Sequence, residues 1–557
     1  MTAKAAEDRN TLGWLAISGL VVVVAVPFAF IVLQAVFPQL GRGSLAAPFS
    51  HLFSTLADPA LLRMAGNSLG LGIAVAALSA LIALPLAVLR AFFRVPFALF
   101  WDVVLLVPFM IPPYIATLGW IMSLQPRGYM EQLLGLHLAS FLFSVPGVVF
   151  IMAMNGFPLI YFAMSRTLET VGARYADVGR LFGAKPLRAF FRITLPLSIP
   201  GLTASLLLVF ALAIEEYGTP AALGSRFGFQ VLVTGIDNRI SDWPIDLPGA
   251  AVMSLLLVLM SLGAFMLQRR IVARGNYQTL GGKPQAQAKK PLGVWAVPVT
   301  LLFTFIAFLA TGLPMLAILA TALSRTISGG LSPDNLSLNN FAAILDDSGG
   351  ALRALTNSLT LGVATALIAG LLGAVSAYVV VRSRFGGRGF LDILSALPNA
   401  LPGVVVAVGL ILAWNQPFLP ITPYNTALIL LLAYVCILLP QPVRHATAAF
   451  QQIGDNLDAA ARVCGATPIT VFRRIMLPLI LPSLATSMLL VFAIASRELV
   501  ASLLVAPVGM MTTASFIWRQ FEQGSVGIGM AMAFITILLT TMLPLLLMSV
   551  LRRMSAN

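Results

Sequence analysis

Apolar runs of about 20 residues recur from one end of the chain to the other, separated by short polar segments, and each is long enough to cross a bilayer as a helix. Twelve are legible, at 12–37, 65–89, 97–123, 141–165, 197–220, 248–268, 294–323, 355–381, 389–414, 424–446, 479–503 and 528–550. The pattern predicts an all-α polytopic membrane protein of about twelve transmembrane helices. Composition agrees: 59% of the 557 residues are hydrophobic and 10% charged, and a mean hydropathy of +0.95 is more than a soluble core can absorb. The first run follows the polar opening MTAKAAEDRN with no small-residue cleavage pattern behind it, so it reads as an uncleaved first helix.

A net charge of +14 in a soluble domain would raise nucleic-acid binding. Here Lys and Arg gather in alternate short loops while the intervening loops are neutral or slightly acidic, which is the cytoplasmic bias of a membrane protein and leaves no nucleic-acid surface. Between the sixth and seventh runs, QRRIVARGNYQTLGGKPQAQAKKP carries Arg269, Arg270, Arg274, Lys283, Lys289 and Lys290 and no acid. That segment is predicted to be cytoplasmic and, from its Gly, Pro and Gln content, a linker. Six spans on either side put both termini in the cytoplasm. The chain divides into a first six-helix half (1–269), the basic linker (270–293) and a second six-helix half (294–557).

The halves repeat each other. Asn67-Ser68-Leu69 with Gly72 matches Asn357-Ser358-Leu359 with Gly362, and Pro108 and Pro112 match Pro398 and Pro402, all at an offset of 290. From Pro158 and Pro440 onward the offset is 282: Gly183 pairs with Gly465, Pro196 with Pro478, and Leu208-Val209-Phe210-Ala211 with Leu490-Val491-Phe492-Ala493. An even number of spans per half makes the repeats parallel, related by a pseudo-two-fold axis along the membrane normal.

One basic loop, between the fourth and fifth runs of each half, is the most informative. It reads YADVGRLFGAKPLRAFFRITLPLSIPG from Tyr175 and DAAARVCGATPITVFRRIMLPLILPS from Asp458. In both copies Gly is followed at fixed spacing by Phe, Ile and Leu-Pro: Gly183, Phe190, Ile193, Leu195 and Pro196, then Gly465, Phe472, Ile475, Leu477 and Pro478. The spacing describes a short amphipathic helix, a Gly turn and a second short helix that stops where Pro opens the next span. Phe and Ile, three residues apart, are expected to share a face and offer an apolar contact to a cytoplasmic partner, with Arg180, Lys185, Arg188, Arg192, Arg462, Arg473 and Arg474 flanking it. Capping and packing of a membrane helix is the plain alternative, and for the two prolines it weighs as much; recurrence of Gly and Phe in both halves favours docking.

This loop resembles the signature of ATP-binding-cassette importer permeases, Glu-Ala-Ala, three residues, Gly, then a spaced Ile and Leu-Pro. The resemblance spans nearly the whole chain and implies a type I importer fold with two coupling helices, each seated on one copy of a cytoplasmic ATPase. Asp177-Val178-Gly179 and Ala459-Ala460-Ala461 replace Glu-Ala-Ala, the acid of the second copy being displaced to Asp458. The resemblance further implies a periplasmic or extracellular solute-binding protein, received by loops 221–247 and 504–527, and an inner-membrane location.

No G-x-x-x-x-G-K-[ST] phosphate loop occurs; Gly281-Gly282-Lys283-Pro284 lacks its spacing and hydroxyl. The chain is therefore expected not to be an enzyme and to bind no cofactor, ATP and magnesium being used by the partner ATPase. His51, His137 and His445 have no metal-ligand spacing, so no metal site is expected, and Cys436 and Cys464 suggest no disulfide framework.

Charges near the ends of spans are costly and informative. Glu215 and Glu216 follow the fifth run, and the 282 offset maps them to Arg497 and Glu498. These four are candidates for the translocation pathway or its external gate; a salt bridge through Arg497, or exposure at the outer interface, are equal alternatives. Fused permeases of this look resemble ferric-iron importers, and carboxylates suit a hard cation. The same branch includes aminoethylphosphonate and thiamine permeases, and Arg497 suits an anion equally. A twelve-span secondary transporter is the rival from another class, with the repeated loop arguing against it; a lipid-acting membrane enzyme would need a catalytic constellation that the sequence lacks.

Overall fold

A computed structural model describes residues 2–181, 185, 188, 190–274, 289–383, 385–417 and 419–556. Among them the fold is all-helical, with pairing limited to two isolated bridges. Among the described residues eight helices are long and apolar enough to cross a membrane, or up to eleven if each bent pair is one span, against about twelve expected. Single helices are α1 (Thr11–Val36), α2 (Pro59–Phe92), α4 (Val145–Glu169), α5 (Phe190–Glu215), α6 (Leu247–Ile271), α7 (Gly293–Ala322), α8 (Ala351–Arg382) and α11 (Pro468–Ala495), and α12 is Val526–Ala556. Three spans are bent pairs: α3 (Ala98–Met110 and Pro113–Leu134, 96°), α9 (Arg388–Ala400 and Gly403–Trp414, 117°) and α10 (Ala427–Leu438 and Pro440–Gln452, 45°).

The sharp breaks in α3 and α9 fall at the prolines that match at offset 290. Ile111, before Pro112, is extended at ψ 131°, and Leu401, before Pro402, at ψ 110°. A residue that precedes proline is pushed out of the helical region, and proline supplies no N–H to continue the ladder. A run long enough to cross therefore bends sharply partway along, which length and hydropathy alone do not register.

Two compact units emerge, and they cut across the sequence halves. One comprises residues 1–58, 236–258 and 337–557; the other comprises 59–235 and 259–336. The first span of each half thus packs in the unit built on the other half's remaining spans.

In the unit containing 59–235, α2 is the hub. Gly72 lets α5 come close: a Cβ there would stand 2.7 Å from Ile214 and 2.8 Å from Phe210. Asn67 and Ser68, one turn away, hold the short helix Leu232–Ser241, Asn67 Nδ2 donating to the Gln230 carbonyl at 2.8 Å and Ser68 Oγ accepting from the Leu232 N–H at 2.8 Å. The transferred helix α7 lies on the second arm of α3, where the Pro314 carbonyl oxygen would be 2.6 Å from a Cβ at Gly119.

In the unit containing 337–557, α8 plays the same part. Gly362 admits Phe492 and Ser496 of the α11 end, Asn357 Nδ2 donates to the Met511 carbonyl at 2.9 Å, and Ser358 Oγ accepts from the Thr513 N–H at 2.7 Å. Transferred α1 lies on the second arm of α9, with the Pro27 carbonyl oxygen 2.8 Å from a Cβ built on Gly409. Asn-Ser, Gly and Phe, scattered along the sequence repeat, are one packing device used twice.

Candidate functional site

The two signature loops each lead into a span through a π turn, Phe190–Thr194 ahead of Pro196 and Phe472–Met476 ahead of Pro478. A proline ring collides with the carbonyl four residues back, here that of Arg192 or Arg474, and the wider i→i+5 turn relieves the collision. The same relation holds at Val21–Ala25 ahead of Pro27 and Phe308–Gly312 ahead of Pro314.

In the second loop, Asp458 is half-buried on the helix Asp455–Val463. Gly465 then reverses the chain at φ +81°, the left-handed region that a side chain resists. Thr467 accepts from the Thr470 N–H at 3.4 Å and starts the helix Pro468–Val471. Pro478 is exposed and Ile475 half-buried.

Phe472 corrects the expectation of a shared outward face. Its ring is buried at 6% exposure and lies 5.1 Å from that of Tyr378 on α8. The ring thus packs the loop onto its own unit, while Ile475, in the same π turn, stays half-buried. Apolar groups that do face outward include Leu457, Ile469 and Val463, the last 89% exposed, with Arg473 and Arg474 exposed beside the turn. The signal for Leu457 and Val463 is the amphipathic stretch before Gly465, whose apolar side is the one that faces outward.

In the first loop, the helix of α4 continues to Leu181 and carries Asp177. Gly183 lies outside the described residues. Phe190 is half-buried with its ring edge-to-face to Phe92, 6.4 Å between centroids. Ile193 is half-buried, Pro196 is exposed, and Lys185, Arg188 and Arg192 are exposed cations. Both loops therefore use Phe inward and cations outward.

The four charged candidates occupy the ends of α5 and α11. Glu216 accepts from the Thr219 N–H at 2.9 and 3.1 Å. Glu498 accepts from the N–H groups of Val500 at 3.1 Å and Ala501 at 2.9 Å, at the start of the helix Val500–Val505. Thr219 and Ala501 are themselves 282 apart, so each acid does the same thing: it meets the free N–H groups of the first turn that follows, where the helix dipole also favours a negative charge. Glu215 is half-buried with Ser261 of α6 beside it, and Arg497 is half-buried in the turn after Ala495. The capping role was invisible in the sequence because neither acid stands at a recognisable helix start there. Among the described residues no three His, Cys, Asp or Glu side chains converge as a metal site would require.

Comparison with known proteins supplies the context. The family described as "Binding-protein-dependent transport system inner membrane component" matches twice, over residues 79–275 and 362–556. The ferric transport system permease protein FbpB of Actinobacillus pleuropneumoniae is 25% identical over 543 residues, 95% of this chain and 77% of that one. The Fe(3+)-transport system permease protein FbpB 2 of Haemophilus influenzae is 24% identical over 427 residues, 75% of this chain and 76% of its own. The provisionally named 2-aminoethylphosphonate transport system permease protein PhnV of Salmonella typhimurium is 28% identical over 264 residues, 47% of this chain and 97% of its own. With both repeats matched, and with apolar helices throughout, the chain belongs to the family of binding-protein-dependent transport system inner membrane components, as a multi-pass permease of the ATP-binding-cassette importer type.

Proposed function

We propose that this chain is the whole translocation unit of an importer for ferric iron, working with two copies of a cytoplasmic ATPase and a solute-binding protein on the outer side. The observation that carries the coupling part is the pair of matched loops, each with an inward Phe and outward cations ahead of a proline π turn, the second also reversing at Gly465. Closure of the ATPase dimer on ATP pulls both loops, and the permease passes between inward-open and outward-open states; only contacts that differ between those states can drive the shift. ATP and magnesium stay with the partner. The halves 1–269 and 294–557, joined by 270–293, act as its two arms, with both termini in the cytoplasm.

Iron as the cargo rests on two relatives named as ferric permeases, aligned over 95% and 75% of this chain at 25% and 24% identity. A phosphonate reading is favoured by one specific feature, Arg497 standing where the first half has Glu215, and by the relative named for 2-aminoethylphosphonate. Reconstituted complex with its binding protein separates them: ATP-dependent uptake of radioactive Fe(III) supports the iron reading, and uptake of 2-aminoethylphosphonate alone replaces it. Uptake of either that persists without any ATPase would return the chain to the secondary-transporter class.

A further inference from the structure

The end of the linker is built into the first half. Lys290 N–H donates to the Phe92 carbonyl at 3.0 Å and Arg94 N–H donates to the Lys290 carbonyl at 2.9 Å, a parallel bridge between the linker and the turn after α2. Lys289 Nζ donates to the Arg90 carbonyl at 2.7 Å and pairs with the Glu169 carboxylate at 2.7 Å. Arg90 Nη1 stands 3.6 Å from Glu169, while its Nε and Nη2 hold Asp102 at 3.1 and 2.7 Å. Tyr161 donates its hydroxyl proton to Asp102 at 2.8 Å. Two cations and two carboxylates thus join α2, the first arm of α3, α4 and the linker, and Lys289 is the member that balances the second carboxylate.

The repeat shows what the second half does instead. At the matching offsets Arg90 becomes Val380, Tyr161 becomes Val443 and Glu169 becomes Gln451, and only Asp102 keeps its type, as Asp392. There Arg382, on α8, donates to the Phe450 and Ile453 carbonyls at the end of α10. A helix end with free carbonyls attracts a cation, and α10 receives one from its own half.

We propose that Lys289 is a positioning residue for the first coupling loop: through Glu169 it fixes the last turns of α4, the helix that carries Asp177, so the two loops of one plan are held by different means. The first depends on the linker, the second on Arg382. This rests on the coupling role proposed above, but its primary test does not. In the purified full-length chain in lipid nanodiscs, hydrogen exchange is followed in peptides covering 165–181 and 450–463. Lys289→Met and Glu169→Gln are each expected to speed exchange in 165–181 about two- to fivefold, the range an accessible ion pair commands, and to leave 450–463 unchanged. The double reversal Lys289→Glu with Glu169→Lys restores the slow rate. Cutting the chain at a protease site inserted after Gln278 changes neither peptide, since the clamp lies beyond the cut. Unchanged exchange in both single variants, or acceleration on cutting alone, overturns the proposal and leaves the linker a tether. In the complex with its ATPase, Lys289→Met raises substrate-independent relative to substrate-stimulated hydrolysis; an unaltered ratio beside a shifted exchange rate overturns the coupling consequence, and no hydrolysis at all points to failure of the importer reading instead.

Discussion

Glu498 shows how one residue type can be placed by chemistry that its neighbours in sequence do not advertise. Its carboxylate serves backbone N–H groups of the following turn, so charge and capping can be separated by substitution. Glu498→Gln keeps an acceptor oxygen and removes the charge; Glu498→Ala removes both. The alanine variant is expected to lose about 1 kcal/mol, the usual value of an N-cap, and the glutamine variant less than half of that, read from thermal unfolding in detergent. If the carboxylate also lines the pathway, the glutamine variant falls in transport while its melting temperature stays near wild type. Equal melting losses for the two variants would remove the capping account. Phe472 is the second residue of this kind. Truncating it to Ala opens a hole beside Tyr378 and is expected to cost about 3 kcal/mol or more, whereas Val463→Ser, at an exposed position, should leave stability within about 0.5 kcal/mol and weaken only ATPase association.

Among the elements, the proline π turn is the recurring solution. It stands ahead of Pro27, Pro196, Pro314 and Pro478, and in each case the carbonyl four residues before the proline lies inside the wide turn. Pro478→Ala restores an N–H and removes the ring, so the turn is expected to tighten to α-helical spacing and rotate the loop relative to α11 by about one residue. The expected outcome is a folded permease whose partner hydrolyses ATP without driving uptake, measured as the ratio of transport to hydrolysis. A wild-type ratio would show that the wide turn is only a packing accommodation.

For the molecule as a whole, the transfer of each first span to the unit of the other half matters most. Pro27 on Gly409 and Pro314 on Gly119 are backbone contacts in which a side chain has no room to move aside. Gly409→Val and Gly119→Val should each cost about 1–3 kcal/mol by overpacking and loosen the transferred helix, seen as faster protease cleavage near it. Gly465→Leu tests the loop at the same scale. Its positive φ strains any side chain, and loss of coupling without loss of assembly is the outcome expected of a docking elbow.

Hydropathy and spacing determined the helical class, the twofold repeat and the two matched loops, because each is written in local periodicity and in residues that recur at constant offsets. Gly72, Phe210, Asn67 and Ser68 were visible as repeated letters, but that they meet each other was not. Tertiary structure alone decided the sharp bends at Pro112 and Pro402, the inward turn of Phe472, the caps at Glu216 and Glu498, the transferred first spans and the clamp at Lys289. All of these depend on which distant backbone groups need a partner or leave room for one, and a local pattern of apolar and polar positions carries no information about neighbours brought together by the fold.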